Sequence, residues 1–192
     1  MDKRTWLLVV CMSMLVGGCA TPPNLLANGD FEPQTELQRT PTDWYATEVP
    51  DTKDFVSFKW DDQVAHTGKR SVSIKIAASH PDRPIAYNWT KVVPGCHVGK
   101  SYELSGWVRT ENLPGTAWIC VQCWNDARSE MLGFATTQKD HPITGTSDWT
   151  QVGTVFTVPA GTGEVRIRAG IATPENNGGQ AWFDDLRVHE LR

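Results

Sequence analysis

The sequence predicts an all-β chain, with residues 24–192 folded as one antiparallel β-sandwich. Three observations carry this expectation. Apolar residues recur with period two, and no stretch shows a 3.6-residue apolar stripe. Turn clusters rich in Gly, Pro and Asn break the runs at short intervals. The 192 residues include 16 Gly, 12 Pro and 9 Trp, a composition suited to turns and to strands that carry a binding surface. The hydrophobic share is 40% and the charged share 21%, so the chain reads as neither disordered nor membrane-embedded. A net charge of −4 gives no support for a nucleic-acid partner.

Residues 1–18 read as a signal peptide. Lys3 and Arg4 supply the positive start, and Trp6 to Val16 supplies an apolar run too short to span a bilayer. The run ends in Val16-Gly17-Gly18-Cys19, which resembles a bacterial lipobox. That resemblance implies lipidation of Cys19, which becomes the mature N-terminus and attaches the protein to the lipid bilayer. Ala20 follows, where an Asp would be the usual inner-membrane retention signal, so the outer membrane of the cell envelope is the implied destination. Residues 19–23 form only a short tether. Processing discards Lys3, Arg4 and Asp2, leaving the mature chain one unit more negative than the precursor's −4.

From Asn24 the elements follow in order. Val72, Ile74 and Ile76 alternate with Ser71, Ser73 and Lys75. Tyr102, Leu104 and Val108 alternate with Glu103, Ser105, Trp107 and Arg109. Ala117, Ile119, Val121 and Cys123 alternate with Trp118, Cys120, Gln122 and Trp124. Val152, Phe156 and Val158 make another apolar face, Val165, Ile167 and Ile171 one more, and Leu186 and Val188 close the chain. Between them lie His66-Thr67-Gly68, Pro94-Gly95, Leu113-Pro114-Gly115, Pro159-Ala160-Gly161 and Asn176 to Gly179, all of turn type. One buried and one wet face per strand is the pattern of an antiparallel sandwich. Three thiols remain after processing: Cys96, Cys120 and Cys123. Cys120 and Cys123 leave opposite faces of one strand and do not bond easily, so inert buried thiols are expected, with a Cys96 disulfide as the alternative.

The order of motifs carries a resemblance. Asn24 to Glu32 (NLLANGDFE) opens the domain and Pro41-Thr42-Asp43-Trp44 follows. Then come His66 to Ser71 (HTGKRS), Val98 to Trp107 (VGKSYELSGW), Asp148 to Val152 (DWTQV) and Trp182 to Leu186 (WFDDL). This series resembles the galactose-binding-like β-jelly roll of carbohydrate-binding modules, of the type found with bacterial xylanases and glucanases. It spans residues 24 to 191. Each motif alone is weak; their order is specific for the fold and much less so for the ligand.

The resemblance implies a structural calcium ion near the two chain ends. Its ligands here would be Glu32, the carbonyls of Asp30, His66 and Lys69, and Asp184 or Asp185, which suits a cation that takes six to eight hard oxygens. Parity puts Asp184 on the inward side with Leu186 and Val188. The bland reading has these acids capping turns or pairing with Lys69 and Arg70.

By strand parity the wet face carries Trp107, Arg109, Trp118, Gln122, Trp124, Arg166 and Arg168, with Trp89 and Lys91 beside them. Sugar rings offer apolar C–H faces and ring hydroxyls, which flat aromatics and planar polar groups hold well. Trp44, Trp60, Trp149 and Trp182 are assigned to packing, and Trp107 suits packing or binding equally. The outward Arg residues suit neutral sugars through hydrogen bonds and acidic glycans through charge. Catalysis has less support, since glycoside hydrolysis needs two facing carboxylates and no His stands in a triad-like context. The expectation is a stand-alone, non-catalytic lipoprotein that binds polysaccharide, in contact with envelope proteins. The alternative is a structural or adhesion module that docks a protein partner.

Overall fold

The structure is a computed structural model and describes residues 23–192. Cys19 and the signal peptide lie outside the described residues. Among the described residues, nine antiparallel strands make one continuous sheet folded into two layers. They are β1 (Tyr45–Ala46), β2 (Val56–Asp61), β3 (Ser71–Ile76), β4 (Ile85–Val92), β5 (Ser101–Asn125), β6 (Met131–Thr136), β7 (Ile143–Thr157), β8 (Thr162–Thr173) and β9 (Gln180–Glu190). A single 3-10 turn, Pro50–Thr52, is the one helical element among the described residues.

The 25-residue β5 joins the layers. Its first half, residues 101–111, pairs with β9 and β7 and completes the layer β2-β3-β9-β5-β7. Its second half, residues 117–125, pairs with β8 and β6 and completes the layer β1-β4-β8-β5-β6. The sequence predicts two strands here, separated by a turn at Leu113-Pro114-Gly115. Instead the segment is a corner within one strand. Asn112 takes a positive φ of 49°, Leu113 is buried, and the register with β7 slips repeatedly from Val108 to Ala117. Pro114 lacks an N–H and suits a place where ladder pairing is already broken.

The expected alternation holds elsewhere. Ile119, Val121, Ile167, Ile171, Leu104, Val108, Phe183 and Val188 are all fully buried between the layers. Residues 24–44 run back along β9, with Leu25 N–H donating to Val188 O and Leu186 N–H donating to Gly29 O. They bring Leu26, Phe31 and Trp44 into the core. Cys120 points outward and Cys123 inward, and all three described cysteines are free.

Trp89 is a correction to the sequence reading. It is 6% exposed and shares the inward face of β4 with fully buried Tyr87. Its indole packs edge-on against Phe58 of the opposite layer at 5.7 Å, and its N–H donates to Ser73 O across the sandwich at 3.1 Å. Lys91 is buried on the same side, its Nζ donating to Thr42 O. An indole with both an apolar partner and a hydrogen-bond acceptor inside gains more there than on a wet face. Of the Trp residues assigned to packing, Trp44 and Trp182 are buried; Trp60 and Trp149 are half-buried.

Replacing Trp89 with Ala is expected to cost about 3–5 kcal/mol of stability through the cavity it leaves. Urea denaturation of the two proteins checks this. A midpoint unchanged by the substitution would contradict the interior placement.

Candidate functional site

Two outer faces remain, one on each layer, and they divide the predicted sugar-binding residues. Trp118, Gln122 and Trp124 point outward from β5, and Arg166 and Arg168 from β8. Antiparallel register sets these residues in rows: Arg168 opposite Cys120, Arg166 opposite Gln122, Trp118 opposite Gly170. The rows continue on both sides. Thr90 of β4 lies beside Arg168, and Tyr45 of β1 beside Thr90. On the other edge Phe134 of β6 lies beside Gln122, and Thr136 beside Cys120. A groove of about 240 Å³ opens here, lined by Trp118, Cys120, Gln122, Phe134, Thr136 and Arg168 among others.

Trp118 is the floor of this groove and not a free platform. It is 7% exposed, because its ring reaches across β8 to β4. Gly170 makes that possible: a Cβ there would collide with Tyr87 O, with Asn88 Cβ and with the Trp118 ring. Trp124 is half-buried at the rim, its indole N–H donating to Gln122 Oε1 at 3.1 Å. The most open aromatics on this face are Phe134, 56% exposed, and Tyr45, 67% exposed. Sequence reasoning centred on Trp missed both. Their strands are short edge strands, six and two residues long, whose alternation is too brief to read. The signal that finds Phe134 is the small pair Gly133 and Ala135 on either side of it.

The charges of the face are unevenly matched. Glu164 is the one carboxylate that its described strand residues contribute, nearly buried, and it is bound by Arg166 Nη2 and by Arg128 Nε. Arg168 forms no hydrogen bond or ion pair among the described residues, and its Nε is buried without an acceptor. Burial pushes the Cys120 thiol beside it up to about 12, which keeps it protonated at neutral pH.

Trp107 and Arg109 lie on the outer face of the other layer, across the sandwich from this groove. Trp107 stacks on the His66 ring at 3.9 Å, with Trp149 edge-on to the same imidazole. Arg109 sits over the Trp182 ring at 5.5 Å. The eight predicted residues therefore occupy three places: five in the groove face, two on the opposite face, and Trp89 in the core.

The acidic residues predicted for calcium gather round one loop, residues 66–70. Glu32 Oε1 accepts from the backbone N–H groups of Lys69 (2.6 Å) and Arg70 (2.8 Å). Asp184 Oδ2 accepts from the N–H groups of His66 and Thr67, and Asp184 Oδ1 from that of Asp185. Asp185 Oδ2 takes His66 Nδ1 and the Thr67 hydroxyl. Gly68, at φ 62°, packs directly against the Glu32 carboxylate, leaving no room for a Cβ. Asp184 does not point into the core as parity suggested. An extra residue at Asp185, with φ 50°, shifts the register against β5, so Trp107 faces Asp184 while Ser105 faces Arg187. Asp184 is thus on the outer side, covered by the loop. Burial pushes its carboxyl up to about 7 against the pull of its N–H donors.

No cluster of three His, Cys, Asp or Glu side chains among the described residues has the spacing of a metal site. The donor chemistry nonetheless fits a hard cation. The second oxygen of Glu32 accepts no hydrogen bond among the described residues, Asp185 touches the loop through His66 and Thr67, and Asp30 lines one surface pocket with Asp185.

Comparison with known proteins agrees with the architecture. A family profile described as "Carbohydrate binding domain" matches residues 23–175. No curated protein matches the sequence. Among solved structures, the CBM22-1 xylan-binding domain of Paenibacillus barcinonensis Xyn10C superposes with a TM-score of 0.59 at 13% identity, covering 89% of this chain and 96% of that one. The enzymatically active domain of bacteriophage CBA120 tailspike protein 4 gives 0.58 at 15% identity, over 88% of this chain and only 21% of its own. The Stig cyclase Fisc from Fischerella sp. TAU gives 0.54 at 13%, over 88% and 96%. Identities this low show a shared fold alone. The profile match covers most of the chain, and the groove sits on the sandwich it describes: this chain belongs to the carbohydrate binding domain family.

Proposed function

We propose that the protein is a non-catalytic binder of poly- or oligosaccharide, held to the bacterial cell envelope through acylated Cys19, with the outer membrane as its site. The groove face carries the reading: half-buried Trp124, two residues along β5, and exposed Phe134, across on β6, both neighbour the Gln122 amide on a paired sheet. Apolar C–H faces of a sugar stack on such rings while its hydroxyls meet the amide and guanidinium groups. One structural neighbour that shares the fold is itself a xylan-binding domain. Hydrolysis of a glycosidic bond calls for two facing carboxylates, and the one on this face is engaged by two Arg side chains.

A calcium ion belongs to this proposal. Glu32, Asp185 and the carbonyls of Asp30, His66 and Lys69 would hold it, and its charge would fasten the 66–70 loop and favour the ionised form of Asp184. The ion acts on the scaffold and not on the groove, which lies on the other layer.

Affinity electrophoresis through gels containing soluble polysaccharides tests the binding. At least one polysaccharide should retard the protein. Trp124→Ala and Phe134→Ala should each weaken retention by about 1–3 kcal/mol, by analogy with ring stacking elsewhere. Phe134→Ala should leave stability within about 0.5 kcal/mol, as for surface positions generally. Passage through every gel at the speed of a non-binding control would refute the proposal. For the ion, thermal melts with EGTA should show a lower Tm than melts with added calcium; coincident curves would remove calcium from the account.

A further inference from the structure

We propose that the groove is built for an acidic glycan, one whose uronic acid carboxylate is taken by the guanidinium of Arg168. The inference rests on the polysaccharide reading above and names its ligand class.

Among the described strand residues, the charges on this face come from one strand. From β4 come Ala86, Asn88, Thr90 and Val92; from β5 Trp118, Cys120, Gln122 and Trp124; from β6 Phe134 and Thr136. None is charged at neutral pH. The β8 strand alone contributes ionised groups: Glu164, Arg166 and Arg168. Glu164 is satisfied by Arg166 and Arg128. That leaves Arg168 in the middle of the sheet, flanked by Thr90 and Cys120, with a like charge two residues away and no partner among the described residues.

An unpaired cation partly withdrawn from water costs free energy. Burial and the neighbouring Arg166 accordingly press the Arg168 pKa below its ordinary value. The chain has 22 Asp and Glu residues against 18 Lys and Arg, so the unpaired Arg168 does not reflect a shortage of carboxylates. They are placed elsewhere. An incoming carboxylate would supply the missing charge and match the planar fork of the guanidinium with two parallel hydrogen bonds. A neutral sugar would satisfy N–H groups and leave the charge uncompensated.

The surroundings suit a chain of sugars threaded past that point. Tyr45 and Phe134 lie on the strands two places to either side of β8: Tyr45 in Arg168's own row, about 10 Å away by sheet spacing, and Phe134 one row along, opposite Gln122 and Arg166, about 12 Å away. Both are exposed ring faces. Arg168 thus stands between two stacking positions, where a uronate flanked by further rings would meet all three.

The experiment is affinity electrophoresis of the full-length protein against polygalacturonate, its highly methyl-esterified form, a neutral β-glucan and dextran sulfate. The expected result is retention by polygalacturonate at least about tenfold stronger than by the neutral glucan, the size of one charge-assisted contact. Methyl esterification, which removes the charge and keeps the ring, should abolish the difference. Arg168→Met should do likewise while leaving Tm unchanged or higher, since Arg168 makes no internal bond to lose; Arg168→Lys should retain part of the preference. Equal retention by the esterified and free acids, or by Arg168→Met and the native protein, would overturn the inference. Equal binding of dextran sulfate with the same Arg168 dependence would also overturn it, as charge attraction without carboxylate geometry. Retention by the neutral glucan alone sinks this inference and leaves the polysaccharide reading standing, whereas retention by nothing sinks both.

Discussion

A strand that belongs to two layers at once imposes one register on both. β5 bends at residues 112–116 and passes from one layer to the other, so the alternation that buries Leu104 and Val108 in the first half is restarted after the corner to bury Ile119 and Val121. A one-residue slip past the corner would turn Ile119, Val121 and Cys123 outward and Trp118, Gln122 and Trp124 into the core. Burial on one face therefore fixes which residues form the groove face on the other. The same strand carries Trp107 and Arg109 before its corner and the groove residues after it, which is why residues of similar pattern end on opposite sides of the molecule.

The interior of the sandwich was legible in the sequence because period-two alternation leaves a strong signal over strands as long as β5, β7, β8 and β9. The corner was not legible, since Leu113-Pro114-Gly115 has turn chemistry whether the chain reverses or only bends. Nor was the position of Trp89. Its strand reads Tyr-Asn-Trp-Thr-Lys, with polar residues at Asn88, Thr90 and Lys91, and parity has no anchor until Tyr87 is known to face inward. The bulge at Asp185 defeated parity for Asp184 in the same way, by adding one residue that no local pattern announces. In the groove, the five residues found from sequence lie on long strands, and the two missed aromatics lie on short ones.

The two outer faces differ in how their polar groups are matched. Over the layer that contains β9, the 66–70 loop is clasped by Glu32, Asp184 and Asp185, and the aromatic groups close on one another: Trp107 on His66, Arg109 on Trp182, Arg70 on Trp60. These groups find their partners within the chain. Across the sandwich, Phe134 and Tyr45 have no covering ring and Arg168 has no counter-ion. Aromatic and cationic groups that fold without partners suit a surface that meets something else, and this asymmetry favours the groove layer for the proposed ligand.

A crystal structure of the protein with a bound oligosaccharide tests that placement most directly. The account predicts a sugar ring over Trp124 or Phe134, with polar contacts to Gln122 and to Arg168 and no ligand on the Trp107–His66 stack. Well-defined sugar density over Trp107 and Arg109, with the β5–β8 groove left to solvent, would contradict it.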